Sequence, residues 1–94
     1  MDLWRIRQMK EQQALGARLA TIEGHVKAIK RMVDEDAYCI DVLKQTYAVE
    51  RALKRFEAEL LRGHLASCVP AAIREGRKDE ILGELGDVFE LAHR

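Results

Sequence analysis

Several things are scarce in this 94-residue chain, and each scarcity narrows what it can be. Aromatic residues make up 5% of it, there is one proline, and there are two cysteines. Few aromatics and a single proline suit helices packed through Leu, Ile, Val and Ala. No apolar run approaches the length of a membrane span, and charge interrupts the start at Asp2 and Arg5, so neither a spanning helix nor a signal peptide is expected. Two cysteines without an export signal read as cytosolic thiols rather than a disulfide framework, which points to the cytoplasm. No Gly-rich phosphate loop, nucleophile–base pair or paired acids stand out, so no enzyme is expected. Without internal repeat, linker or low-complexity segment, residues 1–94 read as one small domain, of a size at which oligomerisation helps stability.

Net charge is also missing: 16 Lys and Arg balance 16 Asp and Glu. The distribution is uneven all the same. Arg5, Arg7, Lys10, Arg18, Lys27, Lys30 and Arg31 outnumber the acids of the first third, and Arg51, Lys54, Arg55 and Arg62 form a second basic cluster. The tail from Glu75 reverses sign. Segregation of this kind gives a positive face suited to phosphate. It equally fits a solvated helix surface laced with i, i+4 pairs such as Glu50–Lys54.

What is present is helical periodicity. Residues 1–13 are mostly polar and read as a flexible N-terminal arm. Leu15, Leu19, Ile22, Val26, Ile29 and Val33 then alternate spacings of four and three, predicting a helix from about Leu15 to Val33. Asp34-Glu35-Asp36 is expected to end it and to cap the next, so the two helices form an antiparallel hairpin. The second helix runs from about Ala37 past His64, with a stripe of Val42, Thr46, Val49, Leu53, Phe56 and Leu60 widened by Ile40, Leu43, Tyr47, Leu61 and Leu65. One neighbour cannot cover a face that wide, whereas a hairpin partner plus a second subunit can. Pro70 is expected to bend this helix, Gly76 to end it, and Asp79 to cap a third helix carrying Ile81, Leu82, Leu85, Val88, Phe89 and Ala92. The expected fold is all-α, a three-helix protomer pairing into an antiparallel four-helix-bundle dimer.

Both cysteines and one histidine fall in an arrangement that asks for a partner chain. His64 and Cys68 share a helix face at i, i+4, while Cys39 lies at the far end of the same helix, roughly 35–40 Å away. That distance rules out an intramolecular disulfide. Two copies packed antiparallel would bring Cys39 of one subunit to His64 and Cys68 of the other, twice over by symmetry. Two thiolates and an imidazole suit Cu(I) or Zn(II), and three ligands satisfy trigonal Cu(I) where zinc would add water. Buried core residues are the plainer alternative.

The segments Arg18-Leu19, Ile22-Glu23-Gly24-His25-Val26, Tyr38-Cys39-Ile40-Asp41-Val42-Leu43 and His64-Leu65-Ala66-Ser67-Cys68-Val69 resemble the copper-sensing repressors of the CsoR type, from about Ala17 to the C-terminus. The resemblance implies a DNA-binding repressor without a helix-turn-helix, whose dimers pair into a dimer of dimers. It implies Cu(I) as effector at Cys39, His64 and Cys68, and Tyr38 and Glu84 hydrogen-bonded around the ligand histidine. Arg18 and Arg55 match arginines implicated in operator DNA binding. Nickel or cobalt sensors of the family use a histidine near the N-terminus, and residues 2–24 contain none; formaldehyde-responsive members carry proline where Asp2 stands. Persulfide sensors keep the cysteines without the histidine. The expectation is a Cu(I)-responsive repressor released from DNA by the metal. A repressor for persulfide or another effector, and a cytosolic copper buffer with no DNA role, are the alternatives.

Overall fold

The computed structural model of the protein describes residues 5–6 and 9–94. Its regular elements are α1 (Gln12–Asp34), α2 (Cys39–Gly63), a π turn (His64–Cys68), α3 (Val69–Arg74) and α4 (Lys78–Ala92). Gly63, Cys68 and Val69 all keep right-handed helical dihedrals, so α2, the π turn and α3 together make the expected second helix, interrupted but not broken. The three-helix plan therefore holds. Of the expected N-terminal arm, residues 1–4 and 7–8 lie outside the described residues. Met9 is buried, and Gln12 and Gln13 belong to α1.

The acidic triplet between the first two helices ends α1, as expected, but does not also cap α2. Asp36 takes a left-handed φ of 58°. The Ala37 N–H donates to Met32 O (2.9 Å) and the Asp36 N–H to Val33 O (3.2 Å), the paired bonds of a Schellman cap. Asp36 thus closes α1; it does not cap α2, which starts three residues later, with the Val42 N–H donating to Tyr38 O. The same pair recurs at the end of α3, where Arg77 N–H donates to Ala72 O and Gly76 N–H to Ile73 O, with Gly76 at φ 76°. There the expected glycine cap is found. One left-handed site thus has the residue that suits it and the other has one that carries a backbone penalty. Replacing Asp36→Gly should raise stability by roughly 0.5–1 kcal/mol and Gly76→Ala should lower it by about 1 kcal/mol. Space is open around a Cβ at Gly76, so that loss is purely conformational. Chemical denaturation reads both, and equal stability for all three proteins would overturn the assignment.

The chain divides into two compact units, residues 11–61 and residues 1–10 with 62–94. In the first, α1 and α2 run antiparallel: Arg18 meets Glu59 near the far end of α2, and His25 meets Gln45 nearer its start. The expected α1 stripe splits in two. Leu15, Ile22 and Ile29, together with Arg18, His25 and Met32, are buried or half-buried, a seam of sevens and threes. Leu19, Val26 and Val33, one step around the helix, are 42, 49 and 60% exposed. α2 divides likewise: Val42, Val49, Phe56 and Leu60 are covered, whereas Ile40, Leu43, Tyr47 and Leu61 stand exposed.

In the second unit, α3 packs on α4 around Val69, Ala72 and Ile81, with Leu85 against them. The start of α4 also departs from expectation. Its cap residue is Arg77, with no side-chain cap bond, and Asp79 sits inside the first turn. Arg77 instead clamps that turn, donating from Nε to Glu80 Oε2 (2.7 Å) and from Nη2 to Oε1 (2.8 Å). Asp79 and Glu80 there complement the positive end of the helix dipole.

Candidate metal centre and nucleic-acid interface

Cys39 is the first residue of α2 and is exposed. The positive end of the helix dipole at that point favours an anionic group. His64 and Cys68 open and close the π turn, His64 half-buried and Cys68 fully buried. The turn is defined by the Val69 N–H reaching back five residues to His64 O. Pro70 supplies a physical reason for it. Its ring crowds the carbonyl four residues back and it donates no bond, and a widened turn just before it relieves that conflict. Sequence reasoning placed a bend at Pro70; the distortion falls on the preceding turn, the one that carries two of the three candidate ligands.

A helix of 25 residues rises about 37 Å, so Cys39 at the start of α2 is separated by its length from His64 and Cys68, which follow its end. Among the described residues of the single chain, no three His, Cys, Asp or Glu side chains come together to hold a metal ion. The donor types themselves, two sulfurs and an imidazole, fit a soft monovalent ion and do not fit hard cations. Tyr38 is 69% exposed, immediately before α2, and Glu84 is exposed on α4. The two belong to different compact units of the chain.

The two expected DNA-contacting arginines, by contrast, are brought together. Arg18 on α1 and Arg55 on α2 both approach Glu59, at 2.6 and 3.7 Å. Glu59 was not singled out from the sequence, although its i, i+4 spacing from Arg55 was a usable signal. Of the other histidines, His25 is half-buried and its Nε2 donates to Gln45 Oε1 (2.7 Å). His93 stacks on Phe89 at 4.2 Å and its Nδ1 donates to Phe89 O. Both are accounted for within the fold. No helix among the described residues is long and apolar enough to cross a membrane.

An all-helical chain of this plan, with soft donors split between the ends of one long helix and a two-helix cluster of arginines, falls into a known class. The family model for metal-sensitive transcriptional repressors matches residues 11–90, and the chain belongs to that family. It is 42% identical over 81 residues to the copper-sensing transcriptional repressor CsoR of Bacillus subtilis, covering 86% of this chain and 80% of that one. The CsoR of Mycobacterium ulcerans is 44% identical over 81 residues, 86% of this chain and 68% of its own. The crystal structure of the copper-sensing repressor CsoR with Cu(I) from Geobacillus thermodenitrificans superimposes with a TM-score of 0.85 at 39% identity, over 90% of this chain and 88% of that one.

Proposed function

We propose that the protein is a Cu(I)-responsive transcriptional repressor of the cytoplasm, which binds operator DNA without metal and leaves it when Cu(I) binds. The observation that carries the reading is the division of the donor set. Cys39 stands at one end of a 25-residue helix and His64 and Cys68 just past the other, in a chain whose relatives are copper sensors. The site is shared: Cys39 of one subunit faces His64 and Cys68 of the other across an antiparallel dimer, and dimers pair into a tetramer. The exposed stripe of Ile40, Leu43, Tyr47 and Leu61 on α2, with Leu19, Val26 and Val33 on α1, supports such pairing. At roughly 25 cal/mol per Å² of apolar area, covering it would stabilise the assembly substantially.

Bound Cu(I) would supply a soft three-coordinate centre joining the subunits. The chain's own groups do the rest. Cys39 and Cys68 offer thiolates, His64 offers one ring nitrogen, and Tyr38 and Glu84 accept from its other N–H, as metal-bound histidines usually require. Arg18 and Arg55 contact the phosphates of operator DNA.

Fluorescence anisotropy tests this with a labelled duplex taken from the promoter upstream of the protein's own gene. The metal-free protein should bind it, and one Cu(I) per protomer should weaken binding about 5–150-fold, the usual span of such coupling. No DNA binding at any salt concentration would leave a copper buffer. Release by persulfide with none by Cu(I) would replace the effector.

A further inference from the structure

Arg18 and Arg55 do not stand independently: one comes from each helix of the hairpin, and a single carboxylate lies between them. Arg18 Nε is 2.6 Å from Glu59 Oε2, a close ion pair, whereas Arg55 Nε is 3.7 Å from Glu59 Oε1, beyond hydrogen-bond distance and drawn to the carboxylate by charge alone. Glu59 is 27% exposed, Arg18 37% and Arg55 70%. A guanidinium is planar and rigid, so that of Arg18, with Nε against the carboxylate, keeps the edge between its two terminal nitrogens directed away from it, while Arg55 is only biased toward the same side. That edge is the one that matches a phosphate bidentately.

We propose that Glu59 is a positioning residue of the DNA-contacting surface, holding Arg18 and Arg55 as a pre-ordered pair whose outer edges meet neighbouring phosphates. The proposal rests on the reading that these two arginines contact DNA. Electrostatics alone gives Glu59 no place there, since a carboxylate among phosphate-binding arginines repels the DNA and lowers the charge of the trio to +1. Its contact with Arg55 is an exposed ion pair, which adds little to fold stability. Its contribution is order. Long side chains that are already fixed lose less freedom when DNA arrives.

The two accounts differ in sign, which makes the test decisive. Glu59→Gln removes a negative charge, raising the net charge by one, so a purely repulsive carboxylate predicts tighter DNA binding. Positioning predicts binding roughly five- to tenfold weaker, the scale of losing the pre-ordering of one or two side chains. The slope of log affinity against log salt should also fall by about one, as it does when one phosphate is no longer neutralised. Glu59→Asp keeps the charge but shortens the reach, and should weaken binding in the same direction. Arg18→Ala should cost less in the Glu59→Gln background than in the wild type, a non-additivity that independent sites do not show. Anisotropy with the promoter duplex at several salt concentrations reads all of these, with Cu(I) affinity and helical circular dichroism expected to be unchanged. Glu59→Gln binding as tightly as the wild type or tighter, while Arg18→Ala and Arg55→Ala weaken binding, would overturn the positioning role alone. If neither arginine variant weakens binding, the DNA-contacting reading itself falls.

Discussion

Mixing two defective chains should restore copper binding. If the site is shared as proposed, a Cys39→Ala homodimer keeps only His64 and Cys68 at each site, and a His64→Ala/Cys68→Ala homodimer keeps only Cys39. Loss of an outer hydrogen-bond partner alone costs roughly 10–100-fold in metal affinity, and loss of a thiolate, which leaves at most one sulfur at the site, costs more. Each homodimer should therefore lose to a competing chelator the Cu(I) that the wild type retains. In the heterodimer one site receives all three ligands and the other none, so a tandem fusion of the two chains should bind one Cu(I) per pair at wild-type affinity. Titration against a Cu(I)-selective chelator measures this directly. If the fusion recovers nothing, the antiparallel sharing of the site is wrong. If either homodimer binds normally, the three residues do not form one site.

That expectation was legible in the sequence alone, because it needs only the rise of a helix and the separation of Cys39 from His64. The three helices and the Gly76 cap were equally plain, since periodicity and glycine chemistry are local properties. What the sequence concealed depends on competition between neighbours. In α1, two lines of sevens, Leu15-Ile22-Ile29 and Leu19-Val26-Val33, are equally apolar. Burial falls on the first, the line that shares its face with Arg18 and His25, which meet Glu59 and Gln45 on α2. The second line is left outward, with Ile40, Leu43 and Tyr47. Asp36 looked like a cap for the helix after it because Asp favours that role, but its left-handed φ commits it to the helix before. The π turn had only Pro70 as its signal, and a proline does not say which turn will yield. Glu59 was hidden by its type: a single glutamate on a charged helix is usually a solvated partner for one arginine, and its link to Arg18 joins two helices at positions far apart in the chain.

Removing His64 should separate holding copper from responding to it. In the proposed shared site, the thiolates of Cys39 and Cys68 from opposite subunits would suffice for a near-linear Cu(I), so His64→Ala should retain substantial affinity. The response is a different matter, because of where His64 sits. Its carbonyl accepts the five-residue bond from Val69 that defines the π turn, and the turn feeds directly into α3, on which α4 packs through Ala72 and Ile81. A pull on the imidazole therefore acts on the widest and least regular turn of the helix, and through α3 on the helix that carries Glu84. A ligand shifts an equilibrium only through interactions that differ between the two states, and in the alanine variant the imidazole that makes this one is absent. Cu(I) should then change DNA affinity by less than about twofold, against roughly 5–150-fold in the wild type. X-ray absorption should show a three-coordinate centre with two sulfurs and one nitrogen in the wild type and sulfur-only two-coordination in His64→Ala. If copper releases the His64→Ala protein from the promoter duplex as it does the wild type, the histidine is a ligand and nothing more, and the signal leaves the site through the two sulfurs.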